Sequence, residues 1–526
     1  MTVSYDAVII GGGHNGLVTA AYLAKAGFSV LVIEKREVLG GAASTEEIFP
    51  GFQFNQGSSN AGLFAPKIIA DLDLLNHGLD LIGSSVSAYS LLPSGNSLTL
   101  WRDLEKTKSE IARFSTKDAS RYFLYLETLK HLTKALRQLM LISPPSLFDP
   151  SAKELLPWLS TALKIRNQGG KEMMELLRIL PMTAEEFLQE WFDSAELKGL
   201  LAAPGISGSM QGPKASGTAF MLLYHQLGNS NSGFRSSQIV RGGTGRLSRS
   251  IAQAAEQYGA KIITGSSVEK IILSNGQAQG ILLESGEEIK ATFVVSNLDP
   301  RHTLFNLVGP ASLEPRTMRR VRNIRFRGST AKLNLALSGL PSFQSNPTTE
   351  HLSGHLIVAP SIDYLERAYD DAKYGHISSH PYLDITIPSI LDNTIAPPGQ
   401  HYMSIDMQFA PYHLKDTNWE EQENHISEKI ITTLELYAPN IRDIILHQQM
   451  ITPQRLETEF GLTEGHIYHG QMGLDQLLFM RPIAGSGQYQ TPIPNLYLCG
   501  SGTHPGGGVT GAPGYNAAKE LIRQKT

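Results

Sequence analysis

The chain has 526 residues, 41% of them hydrophobic, and a formal charge of −4 at pH 7. That length predicts two or three domains, the composition is that of a folded chain, and the near-neutral charge leaves no electrostatic footprint for nucleic acid. No stretch approaches the roughly 18 consecutive apolar residues that cross a bilayer, and Met1 to Asp6 carries no basic segment, so the sequence reads without signal peptide or transmembrane helix, as cytoplasmic or peripherally membrane-associated.

Ala7-Val8-Ile9-Ile10 is a short buried-strand run. Gly11-Gly12-Gly13-His14-Asn15-Gly16 follows, with glycine at each G-x-G-x-x-G position (Gly11, Gly13, Gly16). A small-residue-rich helix from Leu17 to Gly27 comes next, then a second strand, Phe28 to Ile33, and Glu34, 18 residues after Gly16. Gly11 permits the tight turn, Gly13 lets a pyrophosphate approach the backbone, and Gly16 lets helix and strand pack closely. Free amides and the dipole at the helix start hold phosphates, and Glu34 can accept hydrogen bonds from an adenosine ribose. Strand, turn, helix, strand and acid together specify a dinucleotide site.

A second glycine doublet follows in Leu39-Gly40-Gly41-Ala42-Ala43-Ser44-Thr45, where bare backbone can lie along an extended dinucleotide. Residues 96–234 carry helical periodicity broken by Pro144-Pro145, Pro150 and Pro157. Within them Leu155-Leu156-Pro157-Trp158-Leu159 and Leu163-Lys164-Ile165-Arg166 read either as a core-facing helix or as interfacial segments touching a membrane. Arg241-Gly242-Gly243-Thr244-Gly245 turns into a helix, Leu247 to Tyr258, close to the dinucleotide-binding domain. Short strands with a hairpin-like turn at Asn275-Gly276 then run to Phe293-Val294-Val295-Ser296-Asn297. Residues 301–484 mix strands and helices: His401 to Phe409 alternates with Met403, Ile405, Met407 and Phe409 on one face, and Glu420 to Ala438 is an amphipathic helix ended before Pro439. The tail from Asn495 to Gly511 is a strand and a glycine-rich turn, with a final helix from about Gly514. This turn brings further amides to a phosphate or flavin ring. A cofactor held by both ends of the chain is long, and FAD fits. Cys499 is the only cysteine, so an internal or redox-active disulfide is excluded.

The predicted fold is α/β: a discontinuous Rossmann-like FAD-binding domain of residues 1–95, 235–300 and 485–526, a mainly helical insertion of 96–234, and a mixed sheet/helix substrate domain of 301–484. The motifs resemble the phytoene desaturase-like family of FAD oxidoreductases. The likeness is densest in Ile9 to Thr45, Gly57-Ser58-Ser59, Glu190 to Ser194, Gly242 to Gly245, Leu474-Asp475-Gln476 with Arg481-Pro482, and Leu496 to Gly511. Phe192-Asp193-Ser194 and Thr503 to Gly508 look closest to the flavin-type beta-carotene ketolase branch and the related pyridine nucleotide-disulphide oxidoreductase domain proteins. The resemblance implies a p-hydroxybenzoate-hydroxylase/amine-oxidase type FAD domain under an α+β substrate domain, with a hydrophobic tunnel leading a long polyene to the flavin. It implies quinone or oxygen as electron acceptor and admits peripheral membrane contact. The cofactor residues on this reading are Gly11, Gly13, His14, Asn15, Gly16, Glu34, Lys35, Gly40, Gly41, Ala42, Val268 (meeting adenine through its backbone), Gly500, Thr503, Gly507, Gly508 and Val509.

Hydride transfer to a flavin needs proximity and a dry cavity more than a nucleophile. Desaturating an unactivated C–C bond also needs a proton acceptor or cation stabiliser, for which His466, His469, Asp475 and His504 are the polar candidates. His504, after the glycine turn, reads as flavin-proximal or as a loop-fixing hydrogen bond. His466 and His469 are three apart, but Gly465 and Gly470 argue against the helix a metal pair would need. The expected function is oxidation of a carotenoid-like isoprenoid, by desaturation or ring ketolation. The alternatives are a non-carotenoid lipid substrate and a flavoprotein with a mainly binding role.

Overall fold

The computed structural model describes residues 4–146, 150–168, 170–228 and 233–525. Two seven-stranded sheets organise it. In the first, Ser4–Ile10 lies between Val30–Ile33 and Glu288–Ser296, parallel to both, and Lys261–Ile263 extends the sheet beyond Val30–Ile33. Ala7, Val8 and Ile9 are fully buried, as a parallel strand covered on both faces must be. Helix His14–Lys25 packs against helices Gly245–Gln257 and Ala512–Lys525. Small residues make the approach close: a Cβ on Gly514 would stand 2.2 Å from the Asn15 carbonyl oxygen.

The strand Glu288–Ser296 does double duty along one edge. Its first half pairs antiparallel with Gln277–Leu283, and Val294 to Ser296 pair in parallel with Leu496–Leu498. The hairpin joining Val268–Ser274 to Gln277–Leu283 turns on Asn275 and Gly276, both at positive φ (50° and 74°), as the twist-matched two-residue turn requires.

The second sheet has the order Ile445–Ile451, Thr330–Leu337, His401–Gln408, Tyr382–Thr386, His355–Val358, Val86–Leu91, Ser97–Trp101. Its last two strands correct the expected boundary at residue 95. Val86–Leu91 and Ser97–Trp101 form one hairpin, and Val86–Leu91 pairs with His355–Val358. A cut at 95 would split that hairpin; both strands belong with the substrate-side sheet. On one face Leu333, Leu335, Met403, Ile405, Met407, Leu383 and Ile385 join Trp419, Ile426, Ile430 and Leu434 in a closed core. The opposite face carries Thr330, Lys332, Asp384, Thr386, Asp406 and Gln408, which line a cavity between this sheet and the domain built on the first.

The helical insertion runs from Leu104–Ala112 to Thr218–Tyr224. Pro157 lies inside Ala152–Gln168 instead of breaking it. The Phe192-Asp193-Ser194 motif is an anchor: fully buried Asp118 accepts from the amides of Asp193 (3.0 Å) and Ser194 (2.8 Å) and from the Ser194 hydroxyl (2.7 Å). Helix Ala152–Gln168 turns leucines outward. Leu156, Leu159 and Leu163 are 63%, 56% and 56% exposed, while the Trp158 indole donates inward to the Ser143 carbonyl (2.7 Å). The side chains of Lys164, Ile165 and Arg166 lie outside the described residues. Among the described residues no helix is long and apolar enough to cross a membrane.

Candidate active site

One continuous cavity runs from the tip of Val30–Ile33 to the polar face of the second sheet. Glu34, Lys35, Arg36, Ser266, Ser267 and Val268 line its first end; Gly11, Gly13, His14, Asn15, Gly40, Gly41 and Ala42 line its middle. Ser58, Ser59, Asn60, His469, Ser501, Gly508 and Val509 follow, before the chamber against the second sheet.

These residues fit FAD. Helix His14–Lys25 begins after Gly13 with no side-chain cap and no acid in its first turn, so its amides and dipole are left for an anion. His14 Nε2 and Asn15 Oδ1 are buried without protein partners, polar atoms that a bound ligand would satisfy. A Cβ on Gly13 would come within 2.5 Å of Asn297 Nδ2, and one on Gly16 within 2.3 Å of the Gly11 oxygen. Glu34 is 6% exposed and fixed by the amides of Gly12 (2.7 Å) and Arg36 (2.9 Å), with its remaining lone pairs free for a ribose.

Four of the residues expected at the cofactor stand behind the cavity wall. Gly16 and Gly500 allow close backbone packing, a Cβ on Gly500 meeting the Asn297 oxygen at 2.4 Å. Thr503 donates to the Gly500 carbonyl (2.8 Å) and shapes the turn. Gly507 makes room for Tyr468. Conversely Arg36, Asn60, Asn297 and Ser501 line the cavity without having been singled out. Asn297 follows the end of a parallel strand, the place where such sheets bind ligands.

Of the four catalytic candidates only His469 reaches the cavity. Burial holds its imidazole down to about 4, so the ring is neutral near pH 7. The other three are corrected. His504 donates from Nε2 to the Leu139 carbonyl (3.0 Å), fixing the C-terminal turn to the helical insertion. His466 is buried behind Tyr468, whose amide donates to its Nδ1 (3.2 Å). Asp475 sits on the surface, 62% exposed and paired with Arg325 (2.5 Å). Gln476 and Arg481, in the stretches that carry the resemblance, are scaffold too: buried Arg481 donates to the carbonyls of Tyr468 (2.6 Å) and Ser501 (2.7 Å), and Gln476 accepts from the Arg325 amide (2.9 Å).

The chamber carries on one wall charged groups that the tunnel implied by the resemblance does not include. Lys332, 4% exposed, donates to Asp406 (2.7 Å) and Ser404 (2.8 Å), and Lys332 and Asp406 are directly opposite in register. Asp406 is in turn opposite Asp384. Asp384 accepts from Arg235 and lies 2.9 Å from His355 Nδ1, and His355 Nε2 lies 2.9 Å from the Ser237 hydroxyl. Burial, then the Arg235 charge, holds the His355 imidazole well below its ordinary range. Arg235 Nε is buried with no partner. Tyr382, Gln408 and Tyr468 complete the wall. Among the described residues no cluster of three or more His, Cys, Asp or Glu side chains gathers to hold a metal. Cys499 is buried, its thiol pushed up to about 12.

Residues 16–522 match the family of flavin containing amine oxidoreductases. The chain is 38% identical to pyridine nucleotide-disulfide oxidoreductase domain-containing protein 2 of Rattus norvegicus, over 99% of this chain and 93% of the rat protein. It is 30% identical to a limonene dehydrogenase component from Castellaniella defragrans, covering 98% of this chain and 94% of that one. Its identity to the 4,4'-diapophytoene desaturase (4,4'-diapolycopene-forming) of Methylomonas sp is 25%, over 98% and 95%.

Proposed function

This chain belongs to the flavin-containing amine oxidoreductases, as a phytoene desaturase-like FAD-dependent oxidoreductase, and from that premise we propose that it oxidises an isoprenoid-type lipid. The carotenoid class is the substrate nominated by its motifs, by C–C desaturation or ring ketolation, with quinone or oxygen as acceptor. The observation that carries this reading is the single cavity joining the dinucleotide cradle to a chamber under the second sheet. Relatives named for limonene and diapophytoene support the isoprenoid class.

FAD, when bound, supplies a two-electron hydride acceptor. In a desaturation one hydrogen leaves the substrate as hydride and its neighbour as a proton, which a residue of the cavity has to take. His469 is the candidate on the cavity wall for that role: its ring is neutral and its Nδ1 has no protein partner, and the nearby Asp299 charge raises its basicity against the burial that lowers it. Arg481 and the carbonyls it binds hold the His469 loop against Ser501. A second reading, a non-carotenoid lipid, is favoured by the ionised side chains of the chamber. The exposed Leu156, Leu159 and Leu163 support peripheral contact with the membrane that stores such substrates.

The test is a visible spectrum of the purified protein, then anaerobic addition of beta-carotene or phytoene in liposomes. Flavin bleaching with a product short of a hydrogen pair supports desaturation, and a product carrying a new oxygen after aeration supports ketolation. A flavin that neither these nor any other isoprenoid bleaches refutes the reading.

A further inference from the structure

The side chains beyond the dinucleotide cradle point to something narrower than lipophilicity. Lys332 and Arg235 stand with Asp406 and Asp384 on one wall, two fixed cations against two fixed anions. Burial keeps His225 and His355 in the same chamber neutral, so the four charges balance. A ligand with a net charge would bring a charge that no wall residue is left to balance. A bare hydrocarbon would satisfy none of the polar atoms it desolvates. Two of those atoms have capacity to spare. Arg235 Nε is buried and unpartnered, and Asp406, whose side chain is 41% exposed, engages Lys332 through Oδ1.

We propose that the substrate of this chamber is an uncharged, oxygen-bearing lipophile, an alcohol or ketone, whose oxygen is read by Arg235 and Asp406. The inference rests on the isoprenoid reading above and takes its non-carotenoid alternative, since beta-carotene and phytoene are hydrocarbons with no group for these two residues. A carbonyl accepts from the Arg235 guanidinium, which lines the cavity; a hydroxyl accepts there or donates to Asp406. Each ion pair stays intact, so no charge has to be displaced on binding.

Limonene, perillyl alcohol and perillate test this. They share one ring skeleton and differ at one carbon, as methyl, hydroxymethyl and carboxylate. Each is titrated into the oxidised, FAD-loaded protein while the visible flavin bands are followed, a readout independent of turnover. The expected result is a saturable shift with perillyl alcohol, at least about tenfold tighter than with limonene, and weaker binding of perillate. Asp406→Asn or Arg235→Gln, each checked for retained flavin, should shrink the alcohol's advantage over limonene. If either variant fails to fold, the three-probe ranking on the wild-type protein still decides. Equal affinity for limonene and the alcohol, tightest binding of perillate, or no saturable shift with any probe would overturn the proposal. Failure of the isoprenoid reading is seen separately, as flavin that binds a probe but is bleached by no isoprenoid.

Discussion

Arg481 offers a decision between scaffold and chemistry. Replacing it with methionine keeps much of the side-chain volume and removes every donor. The guanidinium is 2% exposed and reaches five backbone carbonyls, those of Tyr468, Gly470, Gln471, Gln476 and Ser501. Three of these contacts are long, at 3.2–3.4 Å; the bonds to Tyr468 (2.6 Å) and Ser501 (2.7 Å) dominate. Stranding two buried carbonyls costs ~1–3 kcal/mol each, the upper part of the range applying to a charged donor. Against this, burial already penalises the cation, its pKa held down to about 10, and methionine relieves that penalty. The net loss expected is about 3 kcal/mol. At roughly 2 °C per kcal/mol for a large domain, flavin release on heating, followed by the rise in flavin fluorescence, should move down by about 6 °C. Arg481→Lys should fall between the two, since one ammonium cannot span carbonyls on both loops. A variant Arg481→Met with an unchanged release midpoint but abolished flavin reduction would refute the scaffold role and place Arg481 in the chemistry.

Gly13→Val should give protein without yellow colour, since a Cβ there already meets Asn297 Nδ2 at 2.5 Å and a branched side chain fills the pyrophosphate's place; wild-type flavin stoichiometry would contradict it. Glu34→Ala should weaken FAD binding by about tenfold, one hydrogen-bonded carboxylate's contribution, without abolishing it, and an unchanged flavin dissociation constant argues against the ribose contact. The buried His14, His469 and His504 are held down to about 4, while an unfolded histidine titrates near 6.5. The unfolded chain therefore binds more protons between those values, and stability should fall as pH drops from about 6.5 towards 4. A urea midpoint that does not decrease between pH 7.5 and 5.5 would count against buried, neutral histidines. Leu156→Glu with Leu159→Glu should reduce co-sedimentation with liposomes several-fold while leaving flavin content alone; undiminished sedimentation removes the apolar ridge from membrane contact.

The dinucleotide half was legible because its physics is local. Ala7 to Glu34 holds the whole strand, turn, helix, strand and acid unit within reach of one motif, and Gly40, Gly41 and Val268 line the cavity. The polar candidates near the C-terminus were misplaced because histidine and aspartate carry no mark of which way a loop faces: His504 points to Leu139 and Asp475 to Arg325. The chamber was missed for a different reason. Alternation in Thr330–Leu337 and His401–Gln408 was readable, but polar residues opposite an apolar face ordinarily face water. Here Lys332, Asp406 and Gln408 face another domain instead. The telling signal was a lysine and an aspartate at matching positions on the polar faces of two alternating strands.

The shared edge of Glu288–Ser296 also sets when the protein can become yellow. Residues 11–42 leave the ribosome early, but Ser501, Gly508 and Val509 line the same cavity, and Leu496–Leu498 claims the last three positions of that edge. Until they arrive, Val294 to Ser296 present an unpaired edge and the cradle stays open on that side. Cofactor loading thus reports on completed synthesis. Nascent chains stalled before Leu496 should be captured without flavin, and these are the species a quality-control protease would find exposed.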